Sequence, residues 1–310
     1  MTHRQTAMGL IAGPVLALGF AATGTADITD QERANKTVVE GLYADFYSGK
    51  NVEKLSDYVA DDVAQHHSSL PNGLAGFQAH FDGYREGSPD MVADPQRMVA
   101  DGDLVFVHSR WAPEGEENPR YKGSFVSGDL YRLQDGKIVE RWGHNQPIPE
   151  TTLNGNTMYG GGTYQATSPA EEAANKKVIL SYFEAFNARD LDAFDDYVVQ
   201  DWIAHSPVEN NTLPALKEFF VGLFDQLPGL HADVKRVIAD GNYVVTHVHY
   251  TVAEDDIGND FATEGGATFD VFRMENGKVA EHWDMTQFGL QPDSVNGNTM
   301  FDGFGVYNYK

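Results

Sequence analysis

The feature that most constrains this chain is an internal repeat. Asn35-Lys36-Thr37-Val38-Val39 returns as Asn175-Lys176-Lys177-Val178-Ile179, Asp57-Tyr58-Val59 as Asp196-Tyr197-Val198, and Val99-Ala100-Asp101-Gly102 as Ile238-Ala239-Asp240-Gly241. Gly136-Lys137-Ile138-Val139-Glu140-Arg141-Trp142 matches Gly277-Lys278-Val279-Ala280-Glu281-His282-Trp283, and Asn154-Gly155-Asn156-Thr157-Met158 recurs as Asn296-Gly297-Asn298-Thr299-Met300. The matches keep their order and their spacing drifts only from 139 to 142 residues, so two whole domains are copied, with small loop changes. The boundaries expected are residues 27–160 and 173–310, joined by a Gly/Ser/Thr-rich linker over residues 161–172.

Within a copy the apolar period changes from helical to extended. Val178, Ile179, Tyr182, Phe183 and Phe186 lie on one helical face, a second helix is expected from Asp190 to Val198, and a third follows Pro214 through Phe224. Extended segments then flank Asp240-Gly241 and Asn276-Gly277, both hairpin signatures, and the first copy repeats them at Asp101-Gly102 and Asp135-Gly136. Three helices followed by a curved antiparallel sheet make an α+β layout, and two tandem cones of this kind are expected, each with an apolar pocket between sheet and helices.

Residues 1–26 read as an export signal. His3 and Arg4 precede an apolar run from Met8 to Phe20, and small residues lead to a cleavage site after Ala26. A periplasmic or secreted protein is expected, with no membrane contact once the signal is removed. The formal net charge of −24 repels nucleic acid and anionic lipid, which excludes both as partners. The chain has no cysteine, which removes disulfides, thiol nucleophiles and thiolate metal sites together.

Chemistry concentrates in the second copy. Alternation along Thr246-His247-Val248-His249-Tyr250 puts His247 and His249 on one face of a strand, and along Glu281-His282-Trp283-Asp284 it puts His282 with Asp284. His205 lies in the segment Trp202-Ile203-Ala204-His205-Ser206-Pro207, read as a loop that could close a pocket mouth. In this reading Asp284 is a general base whose pKa burial raises, and imidazoles donate to a developing oxyanion. Trp202, Tyr250, His249 and His282 are candidate substrate contacts. The competing reading is a solvated sheet face that needs no explanation, or a two-histidine, one-carboxylate metal site.

The first copy has His66 for His205 and His108 for His247, but Arg110 for His249, Arg141 for His282 and Gly143 for Asp284. Arginine donates hydrogen bonds but is not a usual metal ligand, which argues against an ancestral metal site. With no carboxylate at Gly143 this copy is read as a binding or pairing domain. Arg110 and Arg141, with His66 and His108, are its candidate ligand contacts, suited to an anion.

At Glu281-His282-Trp283-Asp284 and Gln287, preceded by Asp270-Val271-Phe272-Arg273 and Asn276-Gly277-Lys278, the second copy resembles the SnoaL-like polyketide cyclase family of the nuclear transport factor 2-like superfamily. The run from Tyr197 to His205-Ser206-Pro207 and the Asn296-Gly297-Asn298-Thr299-Met300-Phe301 ending are similar as well, and the likeness spans residues 33–160 and 173–304. The resemblance implies cone-shaped α+β domains, pairing through the sheets and no cofactor; no metal is expected, on the ligand argument above. It also implies a pocket aspartate doing acid/base work in an aldol ring closure. That role falls on Asp284, with His205 and His247 as polarising or orienting groups. The expected function is cofactor-independent acid/base chemistry (condensation, isomerisation or dehydration) on a small carbonyl compound. The alternative is a non-catalytic small-molecule-binding protein of the same fold. The pairing surface would be satisfied by an intramolecular pseudo-dimer or by a homodimer.

Overall fold

The computed structural model describes residues 29–253, 265–290 and 294–305. The expected export signal lies outside them. The first half runs α1 (Asp30–Gly41), continued by a π-helical stretch, then α2 (Leu55–Tyr58), β1 (Val59–His66), α3 (Leu74–Gly87), β2 (Met91–Asp101), β3 (Leu104–Pro113), β4 (Phe125–Gln134) and β5 (Lys137–Pro147). The second repeats this with α4 (Pro169–Ala188), α5 (Phe194–Tyr197), β6 (Val198–Ala204), α6 (Leu213–Gln226), β7 (His231–Asp240), β8 (Tyr243–Thr251), β9 (Gly266–Glu275) and β10 (Lys278–Phe288). Both halves start at a capping box, Thr29 with Glu32 and Ser168 with Glu171, in which side chain and backbone satisfy each other's orphan donors.

Each half is a five-stranded sheet, in the orders β1-β5-β4-β3-β2 and β6-β10-β9-β8-β7. The sheets are mixed rather than purely antiparallel. β1 and β6 pair in parallel with the last strand of their half, so the segment from Trp202 to Ala204, expected as loop, is sheet, and His205 begins only after it. The second helix is also shorter than expected: its single turn starts at Phe194, and Asp190 instead accepts a bond from the Ala193 amide in the preceding turn. The tight β4–β5 and β9–β10 hairpins form where the sequence predicts. Asp135-Gly136 and Asn276-Gly277 all have positive φ, as the primed turns matching strand twist require.

The helices cover one face of each sheet, giving one apolar core per half around Phe46, Phe77 and Tyr131 and around Phe183, Phe194 and Phe272. The opposite faces pack on each other, burying Phe106, Leu130 and Trp142 against Val245, Phe269, Val271 and Trp283. This contact is reciprocal. Asp240, in the second half's hairpin, receives Lys36 at 2.5 Å and the Ala100 amide at 3.1 Å, while Asp101 receives Lys176 at 2.7 Å and the Ala239 amide at 3.1 Å. The guanidinium of Arg97 lies 3.7 Å from the Trp283 ring and that of Arg236 lies 4.1 Å from Trp142, buried cation–π contacts of the stronger kind.

The tails are exchanged. Asn154 and Asn156 of the first half donate to the carbonyl of Ala204, and Gly160 accepts the Trp283 indole. Asn296 and Asn298 of the second half donate to the carbonyls of Leu70 and Gln65, and Asp302 accepts the Trp142 indole. The recurrent Asn-Gly-Asn motif is thus a clasp laid across the other half.

Candidate functional site

The register decides which face each polar residue takes. Asp284 pairs with Asp270 and His282 with Phe272 across β9–β10, while Thr246 pairs with Asp270 and His247 with Phe269 across β8–β9. Paired residues share a face. His282, Asp284, Asp270, Thr268, Thr286 and Tyr250 therefore face the helices, whereas His247 and His249 face the other half.

On the helix side is a cavity of about 150 Å³, walled by Phe183, Phe186, Phe220 and Leu230 and floored by Asp270, His282 and Asp284. Val208 and Phe288, both about half exposed, border its rim. At its base His282 Nε2 donates to Asp270 Oδ1 at 2.9 Å, and its Nδ1 lies 3.6 Å from Glu209 Oε2. Burial would discharge this imidazole. The bond to Asp270 and the charge of Glu209 overcome that and hold it protonated, with a pKa raised to about 10. Asp284 is the counterpoint. Its Oδ2 accepts only a long 3.4 Å bond from Thr286, and its Oδ1 finds no partner among the described residues. Burial, reinforced by the Glu209 charge, raises it to about 7 against the pull of His282. A buried carboxyl that gains and loses a proton near neutrality thus stands beside a fixed cation.

The structure brings Asp284, His282 and Tyr250 together at the cavity. Trp202 packs behind His282, its ring 6.2 Å away, and lies outside the lining. His205 and His247 are not there. His205 stacks on Trp283 at 4.6 Å, on the face turned to the other half, and bonds the Thr157 carbonyl of the exchanged tail. His247 is buried between Phe269, at 4.4 Å, and Arg236, 3.2 Å from its Nδ1. Burial keeps both neutral, His205 near 4 and His247 far below its ordinary value. The expected partnership of either with Asp284 is therefore corrected, because the sheet stands between them. His249 stacks on Phe301 at 4.0 Å on that same outer face, which also separates the two-histidine metal set.

The first half's residues sort the same way. His66 stacks on Trp142 and bonds Glu140 and Asp302, and His108 is bonded by Arg97, so both belong to the interface. Arg110 is spent on the carbonyls of Glu116 and Asn118, away from the first half's cavity. Arg141 alone of the four lines that cavity.

Sequence reasoning missed Asp270 and Glu209 as functional groups. Asp270 has Asp129 as its counterpart in the first half, so the difference between the halves does not single it out. Glu209 was findable, because counting on from His205 and His66 sets it against Leu70.

The SnoaL-like domain profile matches residues 39–141 and 179–282, about two thirds of the chain, and the chain belongs to this family. Among solved structures, IdmH of Streptomyces antibioticus, named as a candidate polyketide cyclase, is 24% identical and covers 36% of this chain and 91% of its own, with a TM-score of 0.31. A SnoaL-like polyketide cyclase from Agrobacterium tumefaciens is 15% identical over 36% of this chain and 91% of its own, at 0.32. A candidate SnoaL-like polyketide cyclase from Jannaschia is 17% identical over 39% and 90%, at 0.34. No curated protein matches the sequence.

Proposed function

We propose that the second half is an acid/base catalyst acting on a small carbonyl compound. One observation carries this reading: Asp284, poised near pH 7 by its apolar surroundings, sits beside an imidazolium that Asp270 and Glu209 hold in place. In the proposed step Asp284, ionised, removes a proton from carbon next to the carbonyl. The His282 cation stabilises the oxyanion that forms, and the protonated Asp284 returns the proton to carbon or to a leaving hydroxyl. Isomerisation, dehydration and aldol-type ring closure share this step. A cavity of about 150 Å³ suits a ligand of single-ring size, since voids of that volume take up benzene-sized solutes. The proposed protein works as one chain with its sheet faces paired internally. Export to the periplasm or medium rests on the character of residues 1–26.

The test is a thermal-shift screen of cyclic and aryl ketones on the wild type and Asp284→Asn, followed by turnover of every hit. Hits that the wild type converts and the variant binds without converting support catalysis. Hits that both bind and neither converts make this half a binding protein and end the catalytic reading.

A further inference from the structure

The first half has its own cavity of about 290 Å³, larger than its counterpart, and its polar equipment is inverted. Gly143 stands where the second half has Asp284, Leu70 where it has Glu209, and Arg141 where it has His282. Two carboxylates are lost and the cation is kept. Gly143 leaves room for what replaces them: a Cβ there would come within 2.4 Å of Asp129 Oδ1 and 2.7 Å of Arg141 Nη2, so that pair would have to shift. The Arg141–Asp129 pair, at 2.5 Å, has moved into the space of the missing side chain.

That pair is unequally satisfied. Asp129 accepts from Arg141, from Tyr43 at 3.2 Å and from Ser127 at 3.0 Å. Among the described residues Arg141, more than nine-tenths buried, has no partner for Nε, and for Nη1 only Gln65 at 3.5 Å. Donors of a buried, permanent cation thus remain free among the described residues, while the anion beside it already accepts three bonds. Facing them is an aromatic wall in which Trp111 and Phe125 stack at 5.5 Å and Tyr84 meets Trp111 edge-on at 5.8 Å. Burial, with Arg141 adding to it, holds the lining His67 neutral at about 3. Gln287, from the second half's last strand, completes the lining.

We propose that this cavity is a second and separate ligand site, taking a small aromatic carboxylate whose carboxylate docks on Arg141 and whose ring lies against Trp111 and Phe125. It needs no chemistry from Asp284 and stands whether or not the second half is a catalyst.

Isothermal titration of the full chain with benzoate and with its neutral isostere benzamide tests the proposal. Benzoate should bind, and benzamide should bind at least about tenfold more weakly, the worth of one charge-assisted hydrogen-bonded pair. Asp284→Asn should leave benzoate affinity unchanged. Arg141→Met combined with Asp129→Asn, which removes both charges together, should abolish benzoate binding. If that pair fails to fold, His80→Glu, at an exposed position of the lining, should weaken benzoate about tenfold and leave benzamide unchanged. Equal affinity for the two ligands, no benzoate binding, loss of binding in Asp284→Asn, or indifference to His80→Glu would each overturn the proposal.

Discussion

Replacing Asp284 by asparagine should make the folded chain more stable, and by a larger margin near pH 8 than near pH 5. An ordinary aspartic acid titrates at 3.8, and Asp284 titrates at about 7. Its folded pKa is the higher one, so the folded state holds the proton more tightly. The associated stability is complete below 3.8 and is lost as pH rises from there through about 7. The full cost of ionising it in place is the difference of about 3 times 1.36 kcal/mol, or about 4 kcal/mol. Asp284 keeps some exposure to the cavity, and asparagine forgoes the attraction to His282, so about half should be recovered. About 2 kcal/mol corresponds to a rise in Tm of about 3 °C for a chain of 310 residues. Calorimetry of wild type and variant near pH 5 and near pH 8 measures it directly. A variant that is equally displaced at both pH values, or less stable near pH 8, would show that Asp284 is an ordinary solvated carboxylate and refute the argument for its role.

His282 adds to the same trend. Its folded pKa of about 10 exceeds the ordinary 6.5, so its stabilisation is full below 6.5 and disappears as pH rises through about 10; Asp270→Asn should lower that midpoint in an NMR titration and cost about 3 kcal/mol by urea unfolding. Glutamine at His205 or His247 should lower stability by about 1–2 kcal/mol while leaving kcat on any identified substrate unchanged, because both lie on the far side of the sheet. Alanine at Trp283 should cost about 3–5 kcal/mol in denaturant unfolding, since the buried ring packs under Arg97 of the other half as well as His205 of its own. Alanine at Gly143 should destabilise the first half by about 2 kcal/mol through the Arg141–Asp129 pair and leave second-half turnover intact.

Where the sequence was legible, the reason is local. Hairpins are written in Asp135-Gly136 and Asn276-Gly277, each deciding its own backbone within four residues. Alternation along one strand also held, since His282 and Asp284 do share a face, as do His247 and His249. What failed was the relation between strands. β9 and β10 meet through a two-residue turn, but β8 and β9 are joined by a long connection that leaves their register unspecified, and a slip of one residue exchanges the faces. β1 and β6 escaped notice for a related reason. They carry polar residues such as Asp61, Asp62, Gln200 and Asp201, and each pairs with a distant strand through an irregular register. The repeat misled in one respect. Features present in both halves, such as His66 and His205, suggested a shared site, when their conservation between halves reflects a shared seam.

The exchanged tails have a consequence for how the two cavities can change. In a symmetric homodimer every substitution appears twice, so a residue that suits one site is forced on the other. Assembly there also depends on protomer concentration. Here the partner is tethered, and each half is clasped by a segment of the other's sequence, so association survives any dilution. Each site can then drift on its own, under one shared fold. Asp284 with Glu209 on one side, and Gly143 with Leu70 on the other, are the record of that freedom: a single polypeptide holding two differently charged chambers that no pair of identical chains could present together.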